Sequence, residues 1–372
     1  MNPLRQLSDF GQSWWIDNLT RDMLRSGDLE RRWRQDGLRG VTSNPAIFHK
    51  AISRGHAYDE QMHSLAAKGR SVQEIYEEIV TTDVRDACDV LRSLFDRTEG
   101  VHGHVSLEVS PHLAYDTTAS ISEARHLHEK VGRPNVYIKI PGTAPGVAAI
   151  EELLFQGIHV NVTLLFAIDA YEAVAEAYLR ALERRLEAGR ALHDISSVAS
   201  FFLSRIDTLV DKTLESRIRT ENGVGAEPRP QELLGKTAIA NAKLAYQRYL
   251  AIVGSERWRR LAERGAHPQR LLWASTSTKN PRYSDVMYVE PLIGRDTVNT
   301  MPDETLAAFA DHGKARADTV EEGIAEARAV LADLERLGID LKAITDQLER
   351  EGVQKFIEPY DALLDLIAAK RG

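Results

Sequence analysis

The chain has 372 residues, of which 43% are hydrophobic and 27% are charged, a composition typical of a soluble globular protein with a sizeable core. Its formal net charge of −8 comes from 55 acidic and 47 basic side chains that are interspersed along the sequence. Because no basic stripe interrupts this pattern, we expect no nucleic-acid partner.

The cysteine and histidine content argues against a disulfide framework and a metal site. Cys88 is the only cysteine, and its amphipathic surroundings predict a thiol in the core. The 12 histidines form neither a His-Glu-x-x-His pair nor a cluster with ligand spacing. The turn after the first predicted strand also lacks a Gly-x-Gly-x-x-Gly motif. We therefore expect neither a metal nor another cofactor.

The N-terminal segment, "MNPLRQLSDFGQ", lacks the charged start and the continuous apolar region of a signal peptide. No stretch of the chain approaches the roughly 18 apolar residues that a membrane-spanning helix needs. We therefore expect a cytoplasmic protein with no membrane partner.

Strand-like segments alternate with helix-like segments along the chain. The eight strand candidates are residues 12–19, 39–45, 103–111, 135–142, 157–166, 195–207, 270–276 and 285–294. Amphipathic stretches such as 71–95 and 169–189 lie between them, and Ser71-x-x-Glu74 predicts a capping box at the start of the first. Eight such units favour a closed (β/α)₈ barrel over an open, doubly wound sheet.

We predict a single barrel domain spanning residues 1–372. Two helical segments beyond the eight units, 317–338 and 353–372, are expected to pack outside the barrel or across one mouth. Pro359 could interrupt or start the last of these helices. The polar, glycine- and proline-rich stretch 220–230 predicts a surface loop.

Polar side chains recur near the carboxyl ends of the strand candidates. Alternation within "NVYIKI" separates Val136, Ile138 and Ile140 from Tyr137 and Lys139. Antiparallel strands with one solvated face would show the same alternation, and for any single strand the two readings are equally good. For the whole set a barrel explains the pattern better, because its active site lies at the carboxyl ends of the strands.

Lys139 is the candidate for chemistry at that mouth. A lysine among apolar neighbours can have its pKa lowered enough to attack a carbonyl and form a Schiff base. Nearby carboxylates could then serve as general acids and bases. These residue types predict an aldolase of the metal-independent, imine-forming class.

The sequence resembles the transaldolase family, and most closely its longer bacterial branch. The matching stretches run in order along nearly the whole chain: "GVTSNPAIF" (40–48), "VSLEVSPHLAYDT" (105–117), "VYIKIPGT" (136–143), "GIHVNVTLLF" (157–166), "SFFLSR" (200–205), "LLWASTSTKNP" (271–281) and "VNTMP" (298–302). The resemblance implies a (β/α)₈ barrel. It also implies transfer of a dihydroxyacetone unit from sedoheptulose 7-phosphate to glyceraldehyde 3-phosphate in the pentose phosphate pathway.

The resemblance also implies roles for individual residues. Lys139 corresponds to the Schiff-base lysine, Asp17 to the general base on the C4 hydroxyl, and Glu108 to a glutamate that works through a water. Thr163 corresponds to the threonine that positions this water. The implied substrate-binding residues are Asn44, Asn161, Ser200, Arg205, Ser275 and Lys279, with Arg205 on a phosphate and Lys279 as a possible second phosphate contact.

Several alternatives stay open at this stage. Asn44 could simply cap the helix that begins near Pro45. Glu290 has no role in the family and is left outside the site. The chain could be a fructose 6-phosphate aldolase, which releases dihydroxyacetone to water, or a catalytically inactive barrel that binds sugar phosphates. A homo-oligomer is possible.

Overall fold

The computed structural model describes residues 2–220 and 229–371. Its centre is a closed barrel of parallel strands in which each strand pairs with its neighbours in chain order and β8 pairs with β1. The strands are β1 (Gln12–Asp17), β2 (Gly40–Thr42), β3 (His104–Glu108), β4 (Val136–Pro141), β5 (Val160–Leu165), β6 (Ser197–Phe202), β7 (Arg270–Ala274) and β8 (Thr297–Met301). The predicted (β/α)₈ barrel is confirmed.

Helices surround the barrel and connect its strands. They are α1 (Pro3–Asp9), α2 (Arg21–Arg25), α3 (Asp28–Arg31), α4 (Pro45–Arg54), α5 (Asp59–Ala67), α6 (Val72–Arg97), α7 (Thr117–Val131), α8 (Ala144–Gln156), α9 (Ile168–Glu187), α10 (Ser204–Thr220), α11 (Thr237–Val253), α12 (Glu256–Ala262), α13 (Asp303–His312), α14 (Ile324–Arg336) and α15 (Leu341–Lys370). A π-helical turn, Arg32–Asp36, extends α3. The capping box predicted at Ser71 is present at the start of α6.

The eighth strand lies elsewhere than predicted. Residues 285–294, the eighth candidate, form turns and a short 3₁₀ helix, Glu290–Leu292, and β8 follows at Thr297–Met301. This segment covers two outward side chains of β8, those of Thr297 and Asn299. Thr297 donates to the backbone oxygen of Gly294 and Asn299 to that of Tyr288. Because peptide groups cover β8, its outer face is polar, and the apolar pattern of a buried barrel strand is missing.

Aromatic and imidazole rings fill the amino-terminal half of the barrel interior. Tyr137 stacks on Trp15 with 6.0 Å between ring centroids and on His104 with 4.1 Å, and His159 packs edge-on against Tyr137. Gly40 is required beside Trp15, because a Cβ atom there would lie 2.5 Å from the indole. The predicted alternation in β4 therefore holds, with Tyr137 inside the barrel. We call this ring layer the floor.

Helix α15 packs beside α4 to α6 and reaches across the carboxyl-terminal mouth of the barrel. Gln73 donates to the hydroxyl of Tyr360 at 3.0 Å, and Lys370 donates to the backbone oxygen of Ile52 at 2.9 Å. The helix continues through Pro359, which neither starts nor interrupts it. From these contacts we infer that α15 and the barrel form one domain.

Two further sequence predictions concern the surface and the core. Most of the loop predicted at 220–230 lies outside the described residues. Cys88 is fully buried in α6, as predicted, and burial raises the pKa of its thiol. In the part of the chain that the structure describes, no helix is long and apolar enough to cross a membrane.

Candidate active site

Lys139 lies near the carboxyl end of β4, with its side chain inside the barrel mouth and only 6% of the residue exposed. Its Nζ donates a hydrogen bond to the backbone oxygen of Ser43 at 3.1 Å and lies 3.4 Å from Oε1 of Glu108. The ring of Phe356, from α15, lies over the ammonium at 5.6 Å. A lysine becomes a nucleophilic amine when it loses a proton, and here a carboxyl group that can accept this proton lies beside it.

Glu108 stands directly beside this lysine because of the strand register. The ladder pairs Glu108 with Lys139 and Lys139 with Asn161, so the three side chains lie abreast on β3, β4 and β5. Neither carboxyl oxygen of Glu108 has a well-oriented hydrogen-bond partner within residues 2–220 and 229–371. Burial raises the pKa of Glu108, and the charge of Lys139 opposes the rise. A carboxyl group in this state can both hold and release a proton, as general acid–base catalysis requires.

Asp17 occupies the end of β1 and reaches the same mouth. The hydroxyl of Thr42 donates to its carboxylate at 2.7 Å, and Thr42 is itself 2.6 Å from the hydroxyl of Thr300. Burial raises the pKa of Asp17, whereas the hydrogen bond from Thr42 and the charge of Lys139 lower it. The chain therefore places two carboxyl groups with different partners around one lysine.

Two asparagines provide amide groups near the lysine. The side chain of Asn44 accepts a hydrogen bond from the backbone N–H of Ile47, so it caps α4, and it also lines the cavity in front of Lys139. Capping of α4 therefore does not take Asn44 away from the cavity. Asn161 is fully buried, donates to the hydroxyl of Ser106 at 3.1 Å and accepts from Ser200 at 2.7 Å. These bonds fix the orientation of the Asn161 amide.

Thr163 lies next along the inner face of β5, where the strand is irregular. The register between β5 and β6 shifts between Val162 and Leu165, and Leu164 has a φ of 63°, a left-handed conformation that is rare for a branched side chain. The hydroxyl of Thr163 lines the cavity, and it has no hydrogen-bond partner among the described residues although it is buried. Backbone strain beside an unpartnered hydroxyl is typical of a functional site.

These side chains enclose a cavity of about 110 Å³. Its lining includes Asp17, Thr42, Asn44, Lys139, Thr163, Ser200, Phe202, Arg205, Ser275, Thr300 and Phe356. Arg205 stands at one side, its guanidinium 5.3 Å from the ring centroid of Phe202 and 5.7 Å from that of Phe356. Its Nη1 is buried and makes no hydrogen bond to any described residue. An arginine held by aromatic faces with donors free can bind a phosphate.

The two remaining predicted residues differ in position. Ser275 lines the cavity with a φ of 56°, and its hydroxyl lies 2.8 Å from that of Ser204. Lys279 is exposed, lies outside the cavity lining and donates to the hydroxyl of Ser277. The structure thus brings together the other predicted site residues and leaves Lys279 apart from them.

Sequence reasoning missed three contributors to the site. Thr42 donates to Asp17, Thr300 bonds to Thr42, and Phe356 covers both Lys139 and Arg205. Thr42 precedes Asn44 in the motif "GVTSNP", so strand alternation could have placed it inside. Phe356 gives no such signal, because its position depends on how α15 crosses the mouth.

Comparisons with known proteins identify the family. A family model described as transaldolase/fructose-6-phosphate aldolase matches residues 14–367. The chain belongs to this family. It is 50% identical over 370 residues to "Transaldolase" of a Parafrankia species, covering 100% of this chain and 98% of the relative. It is 49% identical over 367 residues to "Transaldolase" of Thermobifida fusca, covering 99% and 98%. "Transaldolase 2" of a Nostoc species is 46% identical over 373 residues, covering 100% and 98%.

Membership of the transaldolase family agrees with the sequence-based identification, and the chain is an enzyme with transaldolase function. Lys139 lies in the barrel mouth, where the active sites of (β/α)₈ enzymes are found. Across the described ranges, no group of three or more His, Cys, Asp or Glu side chains is placed to hold a metal ion. What this site offers a substrate is an amine, two carboxyl groups, amides, hydroxyls and a guanidinium.

Proposed function

We propose that this enzyme transfers a dihydroxyacetone unit from sedoheptulose 7-phosphate to glyceraldehyde 3-phosphate through a Schiff base on Lys139. The observation that carries the proposal is the buried pair of Lys139 and Glu108, with 3.4 Å between Nζ and Oε1. An imine-forming lysine must lose a proton before it attacks, and the carboxylate beside it is placed to take that proton. A lysine that only bound a phosphate would need no such partner.

In the first step, the neutral amine of Lys139 attacks the C2 carbonyl of the ketose phosphate. The resulting carbinolamine loses its hydroxyl group as water and becomes a protonated imine. Glu108 supplies and removes the protons of this dehydration, and the Thr163 hydroxyl, which has no hydrogen-bond partner among the described residues, holds the water. This division of roles uses the carboxyl group that faces the lysine and a hydroxyl that lines the same cavity.

In the second step, Asp17 takes the proton of the C4 hydroxyl. The C3–C4 bond breaks, its electrons move into the imine to give an enamine, and the aldose phosphate leaves. Asn44 and Asn161 hold the hydroxyls of the retained three-carbon unit. The enamine then attacks the acceptor aldehyde, the proton returns from Asp17, and hydrolysis of the new imine frees Lys139.

Arg205 binds the phosphate of donor and acceptor in turn. Arg205 is half-buried and lines the same cavity as Lys139. The separation of these two side chains therefore matches the phosphate to one and the reacting carbon to the other. Ser200 and Ser275 line the path between the two. This phosphate contact does not require Lys279, which lies outside the cavity lining.

Borohydride reduction in the presence of fructose 6-phosphate tests the proposal. The reduced imine should leave a dihydroxyacetone-sized adduct on Lys139, located by peptide mass mapping. Lys243 is the internal control, because it is also buried but donates to the backbone oxygens of Thr319 and Glu322, away from the mouth. An adduct on Lys243, or none at all, would contradict the mechanism.

A second measurement separates transfer from simple aldol cleavage. Relatives named transaldolase match the whole chain, but the family description also includes fructose-6-phosphate aldolase. Turnover of fructose 6-phosphate should require an acceptor aldose phosphate. Release of free dihydroxyacetone at a comparable rate without acceptor would favour the aldolase.

The cytoplasmic location expected from the sequence stays a prediction.

A further inference from the structure

A second cleft lies at the opposite end of the barrel from Lys139. It has a volume of about 940 Å³ and opens between α1, the π-helical turn Arg32–Asp36, the segment before β2 and the end of α6. All of these segments precede a strand, so the cleft belongs to the amino-terminal face. We call it the arginine cleft, because Arg5, Arg34, Arg39 and Arg97 all line it.

Three of these arginines have no carboxylate partner among the described residues. Arg34 pairs with Glu30 at 2.8 Å, but within residues 2–220 and 229–371 no salt bridge involves Arg5, Arg39 or Arg97. Of the two carboxylates that line the cleft, Asp36 is already paired with Arg31 at 2.9 Å. Asp9 alone is left to balance three guanidinium groups. The local charge is therefore positive on a chain whose formal net charge is −8.

The backbone places Arg39 firmly at the centre of this charge. Its N–H donates to the backbone oxygen of Trp14 at 3.0 Å, and its own oxygen accepts from Gly103 at 2.7 Å, so it is fixed between β1 and the entrance to β3. Burial, together with the charges of Arg97 and Arg5, lowers the pKa of Arg39. The positive charges of Arg5 and Arg97 therefore repel that of Arg39, whose backbone is held in place by two hydrogen bonds.

Trp33 and Ser8 complete the walls. The guanidinium of Arg97 lies 5.4 Å from the ring centroid of Trp33, which orients this exposed side chain towards the cleft. The hydroxyl of Ser8 also lines the cleft, is buried, and has no hydrogen-bond partner in the described part of the chain. A donor without a partner beside three unpaired cations is a set of groups that complements an oxygen-rich anion.

We propose that the arginine cleft is a second ligand site, which binds a small phosphate compound carrying two or more negative charges. Clustered guanidinium groups repel one another unless an anion lies between them, and arginine binds phosphate oxygens through paired N–H donors. The volume is in the range of small-molecule sites, roughly 300–1,000 Å³. Because the site faces away from Lys139, its occupant is not the sugar phosphate undergoing reaction.

Calorimetric titration with inorganic pyrophosphate at low ionic strength tests this site. The titration uses Arg205→Gln as the parent. This substitution removes the proposed phosphate-binding side chain of the active site, so that binding there does not contribute to the measurement. We expect one equivalent to bind, and Arg39→Gln in this background to weaken the affinity about tenfold or more, as loss of a charge-assisted hydrogen bond does. Thermal unfolding of each variant verifies that it is folded.

Arg34→Gln is the matched control, because Arg34 lines the same cleft but is already paired with Glu30. Its affinity should stay within about twofold of the parent, since it loses net charge but no free donor. Equal weakening by Arg34→Gln and Arg39→Gln would reduce the effect to general electrostatics and overturn the site. Absence of binding in the parent would do the same. If Arg39→Gln fails to fold, Arg97→Gln, at an exposed position, answers the same question.

Discussion

The two ends of the barrel interior use the same strands for opposite purposes. At the mouth, inward side chains are ionisable, and within the described residues the Thr163 hydroxyl and Nη1 of Arg205 have no hydrogen-bond partner, while Glu108 faces Lys139. At the floor, two residues earlier along β4, Tyr137 donates to the hydroxyl of Ser196 at 2.9 Å and is enclosed by rings. The strands thus separate a layer that reacts from a layer that holds the barrel together.

Electrostatics sharpens this contrast. Burial raises the pKa of the mouth carboxyls Asp17 and Glu108, while at the floor it lowers the pKa of His159 to about 4 and that of His104 well below its ordinary value. Arg270 lies among the floor residues and donates to Ser13 at 3.1 Å. Its fixed positive charge favours neutral imidazoles. The floor is therefore uncharged apart from one arginine, whereas the mouth holds several charges of both signs.

Replacing the nucleophile should break the mouth and leave the floor intact. Lys139→Met should lower kcat by on the order of 10⁴-fold or more, because no other group can form the imine. The fold should persist, because Glu108 can take up a proton instead of staying as an unpaired charge. Steady-state kinetics and a thermal melt measure the two effects. Activity within tenfold of the parent would show that Lys139 is not the nucleophile.

Truncating the floor should have the reverse effect. Trp15→Ala removes a fully buried indole that stacks on Tyr137, and it should cost about 3–5 kcal/mol of unfolding free energy. The kcat per folded molecule should stay within a few-fold of the parent, since Trp15 does not line the cavity. Denaturant unfolding and active-site titration provide the comparison. A kcat that falls as far as in Lys139→Met would show that the two layers are not separate.

Much of this division could be predicted from the sequence. Alternation in β4 put Tyr137 and Lys139 on one face, and the eight strand candidates together indicated that this face is the barrel interior. The position of β8 could not be predicted, because its outward residues Thr297 and Asn299 are polar and bond to peptide oxygens of the preceding segment, so the strand lacks an apolar period. The register between strands, which sets Glu108 beside Lys139, is a property of the closed barrel rather than of any one segment.

The cover of the site was predictable only in part. A helix across one mouth was among the expectations, but its register was not. Gly352 allows α15 to approach the strained backbone at Leu164, since a Cβ atom at this position would lie 2.9 Å from the Leu164 side chain. Phe356, one helical turn later, then meets Lys139 and Arg205. Such contacts join residues more than 150 positions apart and leave no local periodicity.

The pH dependence of stability should separate the two layers further. A folded pKa of about 4 for His159, against an ordinary value of 6.5, means that between these pH values the unfolded chain binds more protons. The contribution of His159 is therefore fully present above pH 6.5 and is lost as the pH falls towards 4, by about 3 kcal/mol. The raised pKa values of Asp17 and Glu108 act oppositely, because stability falls as these groups ionise with rising pH.

His159→Asn isolates the floor contribution, because it removes one imidazole and leaves both carboxyls in place. The difference in unfolding free energy between pH 7 and pH 4.5 should shrink in this variant. His63→Asn, on an exposed part of α5, controls for the histidine-to-asparagine substitution itself. Equal slopes in the parent and in His159→Asn would show that the floor imidazole does not titrate differently in the folded and unfolded states.

The smallest predicted effect concerns Phe356, the α15 residue whose ring lies over Lys139 and Arg205 at the mouth. Phe356→Leu keeps an apolar side chain but removes the aromatic face over Lys139 and Arg205, so it should raise KM for the phosphorylated donor by about fivefold, as loss of about 1 kcal/mol of cation–π attraction implies. Stability should change little, because leucine fills much of the same volume. Initial rates over a range of donor concentrations measure KM and kcat separately. Phe309→Leu, buried in α13 away from the cavity, controls for general loss of packing and should leave KM unchanged. If both variants shift KM equally, the aromatic contact with the two cations contributes nothing to substrate binding, and Phe356 only excludes solvent.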